Sequence, residues 1–263
     1  MLVLGAGLQG TACAYDLLQN PEVTEVRLAD IRIDHLPEFL APYSGNRLIP
    51  THLDVRDHEA VRALMREADA AMSAIPYYFN LDLARMAAET GTHFCDLGGN
   101  TEIVFQQKRL DDKARQTGCT IVPDCGLAPG MVNVLAQHGI EMLDKVKSVR
   151  IYVGGLPQHP EPPLNYQIVY SLEGELDYYT TKSWVLRDWK PMQVTALSER
   201  EPVMFDAPVG ELEAFHTAGG LSTMATRYEG KIPSMEYKTL RYPGHAAIME
   251  AIRELGLLEL TPV

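Results

Sequence analysis

Short apolar runs alternate with amphipathic stretches through the first half of the chain, and the alternation predicts its elements. LVL (2–4) predicts a strand, and LQGTACAYDLLQ (8–19) carries apolar positions at helical spacing. EVRLAD (25–30) and RLIPTHLDV (47–55) predict two further strands. DHEAVRALMREA (57–68) predicts a helix opened by Asp57 as N-cap, with Glu59 in the first turn. DAAMSAI (69–75) predicts the fourth strand, and NLDLARMAAETG (80–91) a helix with Gly91 placed to end it. THFCDL (92–97), one helix through TEIVFQQKRLDDKARQTG (101–118) and CTIVPD (119–124) complete the series. Strand and helix alternating over short links predicts α/β architecture, a Rossmann-type doubly wound parallel sheet over 1–125.

The rhythm changes beyond that point. PGMVNVLAQHGIEML (129–143) predicts a helix, and SVRIYVGGLP (148–157) a strand running into the proline-rich PQHPEPPLN. YQIVYS (166–171), KPMQVTAL (190–197) and SMEYKTLRY (234–242) have β character, and HAAIMEAIRELG (245–256) is helical. This predicts a second, α+β domain over 126–263. It shows no obvious second covering layer, so a homodimer or higher homo-oligomer built through a shared sheet is expected.

Composition narrows the partners. The chain has 263 residues, 46% hydrophobic and 22% charged, ordinary for a globular protein. No apolar run reaches about 18 residues, so no membrane partner is expected. The N-terminus carries no signal-peptide pattern, and the expected location is cytoplasmic. A formal charge of -12 repels phosphate backbones and argues against nucleic acid. Cys13, Cys95, Cys119 and Cys125 form no C-x-x-C and no zinc spacing. They read as small buried side chains in a reducing compartment, and no metal is expected.

Candidate chemistry begins at MLVLGAGLQG. Gly5, Gly7 and Gly10 spell G-x-G-x-x-G between a strand and a helix. Gly5 permits the tight turn, Gly7 lets a pyrophosphate approach the backbone, and Gly10 lets helix pack on strand. Leu8 and Gln9 open the helix whose N-terminus faces the phosphates. Asp30 lies 20 positions after Gly10 at the end of the second strand, placed to accept ribose hydroxyls. It would repel a 2′-phosphate, so the expected cofactor is NAD, although Arg32 nearby could accommodate one. The turn Ser73-Ala74-Ile75-Pro76 would pass close to the nicotinamide side.

Ligands of such sheets sit beyond the carboxyl ends of the strands. Tyr77 and Tyr78, Asp96 of CDLGGN and Asp124 of PDCGLAPGM all fall there. Each aspartate also fits a helix cap or an Asx-turn.

AIPYYFN, CDLGGN, DCGLAPGM, AGGLSTM and MEYKTLRYPGH together resemble the saccharopine dehydrogenase family, and within it the lysine 6-dehydrogenases. The resemblance spans nearly the whole chain. It implies a Rossmann domain followed by an α+β domain for substrate binding and dimerisation. It also implies residues ahead of Met1 and elements beyond Val263, leaving the second domain incomplete at its C-terminus. The implied reaction is NAD-dependent oxidation of the ε-amine of L-lysine to allysine, which cyclises to piperideine-6-carboxylate, with release of ammonia. A saccharopine-type oxidoreductase acting on a secondary amine, and a non-catalytic NAD-binding dimer module, are the alternatives.

Amine oxidation requires a base that keeps the amine neutral and then serves the attacking water. His245, Asp124 and Asp96 are candidates, histidine having the most suitable ordinary pKa. Asp96 and Asp124 could instead steer the ammonium. An amino-acid carboxylate calls for a guanidinium, and Arg241 is first choice ahead of Lys238 and Arg227. Thr217, Ser222 and Thr223 offer hydroxyls beside a glycine turn. Tyr166, Tyr170, Tyr178 and Tyr179 flank the acidic run SLEGELD. Its Glu173 and Glu175 could meet a cationic amine, but a solvated helix face is the reading preferred for Glu175.

Overall fold

A computed structural model describes residues 1–168 and 172–259, the side chains of Leu172 and Glu173 excepted. The chain divides into two compact units, Met1–Gly126 and Leu127–Val263.

In the first unit β1 (Leu2–Leu4), α1 (Leu8–Gln19), β2 (Val26–Asp30), β3 (Leu48–His52), α2 (His58–Arg66) and β4 (Ala70–Ser73) follow in order. Then come α3 (Asn80–Thr90), β5 (His93–Asp96), α4 (Thr101–Lys108), α5 (Asp111–Thr117) and β6 (Ile121–Val122). The six strands pair in parallel in the order β3-β2-β1-β4-β5-β6. The order reverses direction between β1 and β4, the topological switch point of a doubly wound sheet.

Burial on both faces explains the apolar runs. Leu2 and Leu4 enter one core with Val61, Met65, Leu83 and Met86, while Val3 enters the other with Ala14, Leu18 and Leu28. Period-two alternation thus feeds two separate cores. Pro50 is accommodated in β3 because β3 lies at the edge of the sheet, paired with β2. Asp57 caps α2, accepting from Ala60 N–H at 3.0 Å, and Gly91 ends α3 at φ 77°.

The expected single helix over 101–118 is two. It breaks at Arg109 and Leu110. Leu110 turns onto the core under the sheet, and Asp111 and Asp112 occupy the first turn of α5, where free N–H groups favour carboxylates.

The second unit contains α6 (Met131–Glu141), β7 (Val149–Gly154), α7 (Leu172–Thr180), β8 (Ser183–Arg187), β9 (Lys190–Val194) and β10 (Glu201–Met204). They are followed by β11 (Glu211–Phe215), α8 (Met224–Arg227), β12 (Met235–Arg241) and α9 (His245–Glu254). The sheet runs β10-β11-β12-β8-β9, with β7 parallel to β12 along its length. All seven residues of β12 are buried. Its Met235 and Tyr237 pack with Met224 and Ala225 of α8 and with Val132 and Ala136 of α6. Another core joins Tyr179 of α7, Phe215 of β11, and Ala246 and Met249 of α9. Helices α6 and α9, both expected from the sequence, thus pack on this unit's cores together with α7 and α8. Of the strand expected over YQIVYS, residues 166–168 are irregular and 169–171 lie outside the described residues.

Candidate functional site

In the first unit the chemistry gathers at the carboxyl ends of β1, β2, β4 and β5. Gly5 leaves β1 at φ +100°, and a Cβ there would lie 2.8 Å from both Ala74 O and Ile75 Cγ2. A Cβ on Gly10 would sit 1.8 Å from Gly5 O, so these two glycines hold loop, helix and β4 in contact. Gly7 is different: it is exposed, it is the N-cap of α1, and a Cβ on it would meet nothing within 4 Å. Leu8 and Gln9 are exposed beside it. The first turn of α1 carries no acidic side chain, so its unpaired N–H groups present a positive end to the open side. This backbone surface suits a pyrophosphate.

Asp30 ends β2 half-buried. Its Oδ2 accepts from Ala6 N–H at 2.7 Å, and its Oδ1 accepts from Arg32 N–H at 2.7 Å. The carboxylate is thereby tied to the glycine loop. Asp30→Ala is expected to weaken dinucleotide binding about tenfold or more, one charge-assisted hydrogen bond plus the loop anchor. Titration calorimetry with the reduced cofactor checks it.

Ser73 is buried at the end of β4 and its hydroxyl donates to Asn80 Oδ1 at 2.8 Å. Pro76 precedes the short 3₁₀ turn Tyr77–Phe79. Tyr77 packs against Gly99, where a Cβ would come within 3.2 Å of it.

Asp96 is 0% exposed. Its Oδ1 accepts from Gly98 N–H at 2.8 Å and Asp124 N–H at 3.2 Å, and its Oδ2 from Gln107 Nε2 at 2.6 Å. Burial raises its pKa against the pull of those donors. Gln107 and Asn80 had no sequence signal, because their contacts depend on how α3 and α4 pack. Asp124 is buried at φ 60°, a left-handed conformation that is sparsely populated for a non-glycine residue. Its carboxylate lies over Gly98, where a Cβ would fall 2.0 Å from Oδ1.

In the second unit a buried polar cluster surrounds Arg241, the last residue of β12 and 6% exposed. Its guanidinium lies 4.1 Å from the centre of the Tyr166 ring, and its Nη2 donates to Glu175 Oε1 at 3.4 Å. Glu175 is 2% exposed, so the solvated-face reading does not hold for it: α7 turns this carboxylate inward to Arg241. Burial raises the Glu175 pKa, opposed by Tyr166, Arg241 and Tyr179. The Tyr179 hydroxyl lies 3.4 Å from Glu175 Oε1 and 3.0 Å from His245 Nε2, and burial pushes its pKa up to about 12. His245 Nδ1 is 3.1 Å from Leu164 O. The tautomer that satisfies both neighbours has Nδ1–H donating to that carbonyl and Nε2 accepting from Tyr179. Tyr170 and the Glu173 side chain lie outside the described residues.

Burial, with Arg241 nearby, lowers the His245 pKa below its ordinary 6.5. The unfolded chain then binds this proton more readily, so the His245 contribution to stability is present above about 6.5 and lost as pH falls through the lower folded value. Denaturant melts are expected to show stability falling on the acid side of pH 6.5 in the wild type, with that component absent in His245→Gln.

Other nominated residues are placed elsewhere. Thr217 is buried, its hydroxyl 2.7 Å from that of Thr239. Ser222 is buried at φ 50°, and Arg227 is exposed. Lys238 Nζ donates to Glu199 O at 2.7 Å and Glu201 Oε1 at 2.8 Å. Donor atoms of Glu199, His216 and Glu236 lie within 4.8 Å of one another. Arg187 Nη2 already spans the two carboxylates at 2.6 and 2.8 Å, so the trio is a charge network rather than a metal cage. A groove of about 460 Å³ between α6 and β7, lined by Leu135, Ile140 and Ile151 among others, holds none of the nominated residues. Among the described residues no helix is long and apolar enough to cross a membrane.

Family models agree with this architecture. The saccharopine dehydrogenase NADP binding domain matches residues 1–122, and the saccharopine dehydrogenase C-terminal domain matches 126–263. The L-glutamate-forming, NADP(+) saccharopine dehydrogenase of Saccharomyces cerevisiae is 25% identical over 270 positions, covering 98% of this chain and 58% of that protein. The mitochondrial alpha-aminoadipic semialdehyde synthase of Mus musculus is 25% identical, with 98% and 28% coverage. The chain thus spans little more than half the length of the yeast protein and less of the mouse one. Apo saccharopine dehydrogenase (L-Glu forming) from S. cerevisiae shares the fold at TM-score 0.75 and 24% identity, covering 98% of this chain and 58% of that one. A homospermidine synthase from Legionella pneumophila in complex with NAD follows at TM-score 0.67 and 12% identity, with 97% and 68% coverage.

Proposed function

Because this chain belongs to the saccharopine dehydrogenase family, we propose that it oxidises the carbon–nitrogen bond at the ε-amine of L-lysine with NAD, yielding allysine and ammonia. The observation that carries the reading is the glycine loop, which opens backbone at Gly7 and closes it at Gly5 and Gly10. When bound, the nicotinamide supplies the hydride acceptor. Gly5 to Gly10 would hold the pyrophosphate, Asp30 the ribose hydroxyls, and the Ser73–Pro76 turn would pass the nicotinamide side. Asp30 favours NAD. The NADP(+) specificity named for the yeast relative and the adjacent Arg32 favour NADP, so both belong in the test.

For the base we assign Asp124. Asp124 stands two residues beyond β6, at the carboxyl side of the sheet, in a strained left-handed conformation that fixes its carboxylate over Gly98. Asp96 then acts as the anchor of the Asp124 backbone. Arg241 takes the substrate carboxylate, with Glu175 and Tyr166 orienting its guanidinium.

The relatives' names support a second reading, a saccharopine-type reaction on a secondary amine. That substrate brings two more carboxylates, whereas Lys238 is already bound to Glu199 and Glu201 and Arg227 lies on the surface. The test follows reduced-nicotinamide absorbance at mildly alkaline pH with NAD or NADP and either L-lysine or saccharopine. Turnover with lysine supports the first reading. Turnover with saccharopine alone supports the second, and cofactor binding without turnover on either contradicts both.

A further inference from the structure

Two cysteines meet where β5 and β6 end. Cys95 is opposite Val122 in the parallel pairing of these strands. Cys125 continues the ladder beyond β6: its N–H donates to Asp96 O at 2.7 Å, and its Sγ lies 3.3 Å from Val122 O. Val122 is thus a neighbour of both, paired with Cys95 across the ladder and accepting from the Cys125 thiol. The Cys125 backbone is therefore held beside Asp96, the residue next to Cys95, across strands spaced about 4.8 Å apart. Cys125 is exposed, contrary to the expectation of four buried cysteines, and Cys95 is half-buried. Neither has a part in the amine chemistry above.

We propose that Cys95 and Cys125 form a peroxide-reactive dithiol that closes to a disulfide across the ends of β5 and β6. The hydrogen bond from Cys125 lowers the Cys95 pKa, outweighing burial and the neighbouring Cys13 and Asp96 charges, whereas burial and the Cys95 charge raise Cys125. Cys95 is therefore the attacking sulfur. Its thiolate attacks one oxygen of hydrogen peroxide, and the O–O bond breaks. Hydroxide leaves, takes up the proton and becomes water, and Cys95 carries a sulfenic acid. Cys125 sulfur then attacks the Cys95 sulfur, and the S–O bond breaks. The departing hydroxide takes the Cys125 proton as a second water. Two thiols lose two electrons in total and peroxide accepts them. The cross-link would tie together the segments bearing Asp96 and Asp124.

The test is independent of the amine reaction, since it reads sulfur and not turnover. The full chain is treated with stoichiometric hydrogen peroxide, alkylated, and followed by intact mass and peptide mapping. The expected product is lighter by about 2 Da before alkylation and contains a linked Cys95–Cys125 peptide that thiol reductant releases. Cys13 and Cys119 remain alkylatable. In Cys125→Ser a sulfenic acid trappable by dimedone should accumulate on Cys95, and Cys95→Ser should consume peroxide about tenfold more slowly. A Cys13–Cys95 link, sulfinic acid without a cross-link, or four thiols all still alkylatable would overturn the proposal.

Discussion

Replacing Gly7 by aspartate is expected to abolish nicotinamide-dinucleotide binding while leaving thermal stability at or above wild type. Gly7 has φ -74° and ψ -169°, ordinary extended backbone open to any residue. Aspartate at this N-cap can accept from the first turn of α1, stabilising it by about 0.5–1 kcal/mol. The same carboxylate would stand where the open backbone and helix N-terminus receive the pyrophosphate. It removes the close approach and adds like-charge repulsion, for a loss of affinity of at least about 100-fold. Gly10→Ala is the contrasting variant. Its Cβ would drive into Gly5 O at 1.8 Å, so it should lower the unfolding midpoint as well as affinity. Calorimetric titration beside thermal melts separates the two. Wild-type affinity in a folded Gly7→Asp protein would refute the cradle.

Substitution of Arg241 by methionine is expected to cost both stability and turnover, by different routes. It leaves Glu175 buried without its cation, an uncompensated charge whose penalty is about 3–5 kcal/mol. The double variant Arg241→Met/Glu175→Met removes both charges and should recover most of that stability, because buried ion pairs contribute little net of their desolvation. It should not recover kcat/KM, since no guanidinium remains for the substrate carboxylate. Denaturant melts and steady-state kinetics on the three proteins check both limbs. A double variant with wild-type kcat/KM would reduce Arg241 to a structural role.

What the sequence made legible follows from local rules. Strand and helix alternation, the Asp57 cap and the left-handed stop at Gly91 depend on residues a few positions apart, and the structure reproduces them. The break between α4 and α5 was not legible, because helical periodicity continues through Leu110 and only the core below draws that side chain aside. Glu175 was misread for a similar reason. An acidic run looks solvated until β12 brings a guanidinium to it from 66 residues away. The exposure of Cys125 depends on how the chain leaves β6, and the engagement of Asp96 by Gln107 on the packing of α4.

Hydride transfer itself provides the most direct test of the account. L-lysine deuterated at the carbon bearing the ε-amine is incubated with the protein and oxidised nicotinamide cofactor, and the reduced cofactor is examined by mass spectrometry. The expected result is deuterium in the reduced nicotinamide ring, formed in step with allysine. Cofactor bound with affinity normal for a dehydrogenase but recovered oxidised, or reduced without label, would contradict it.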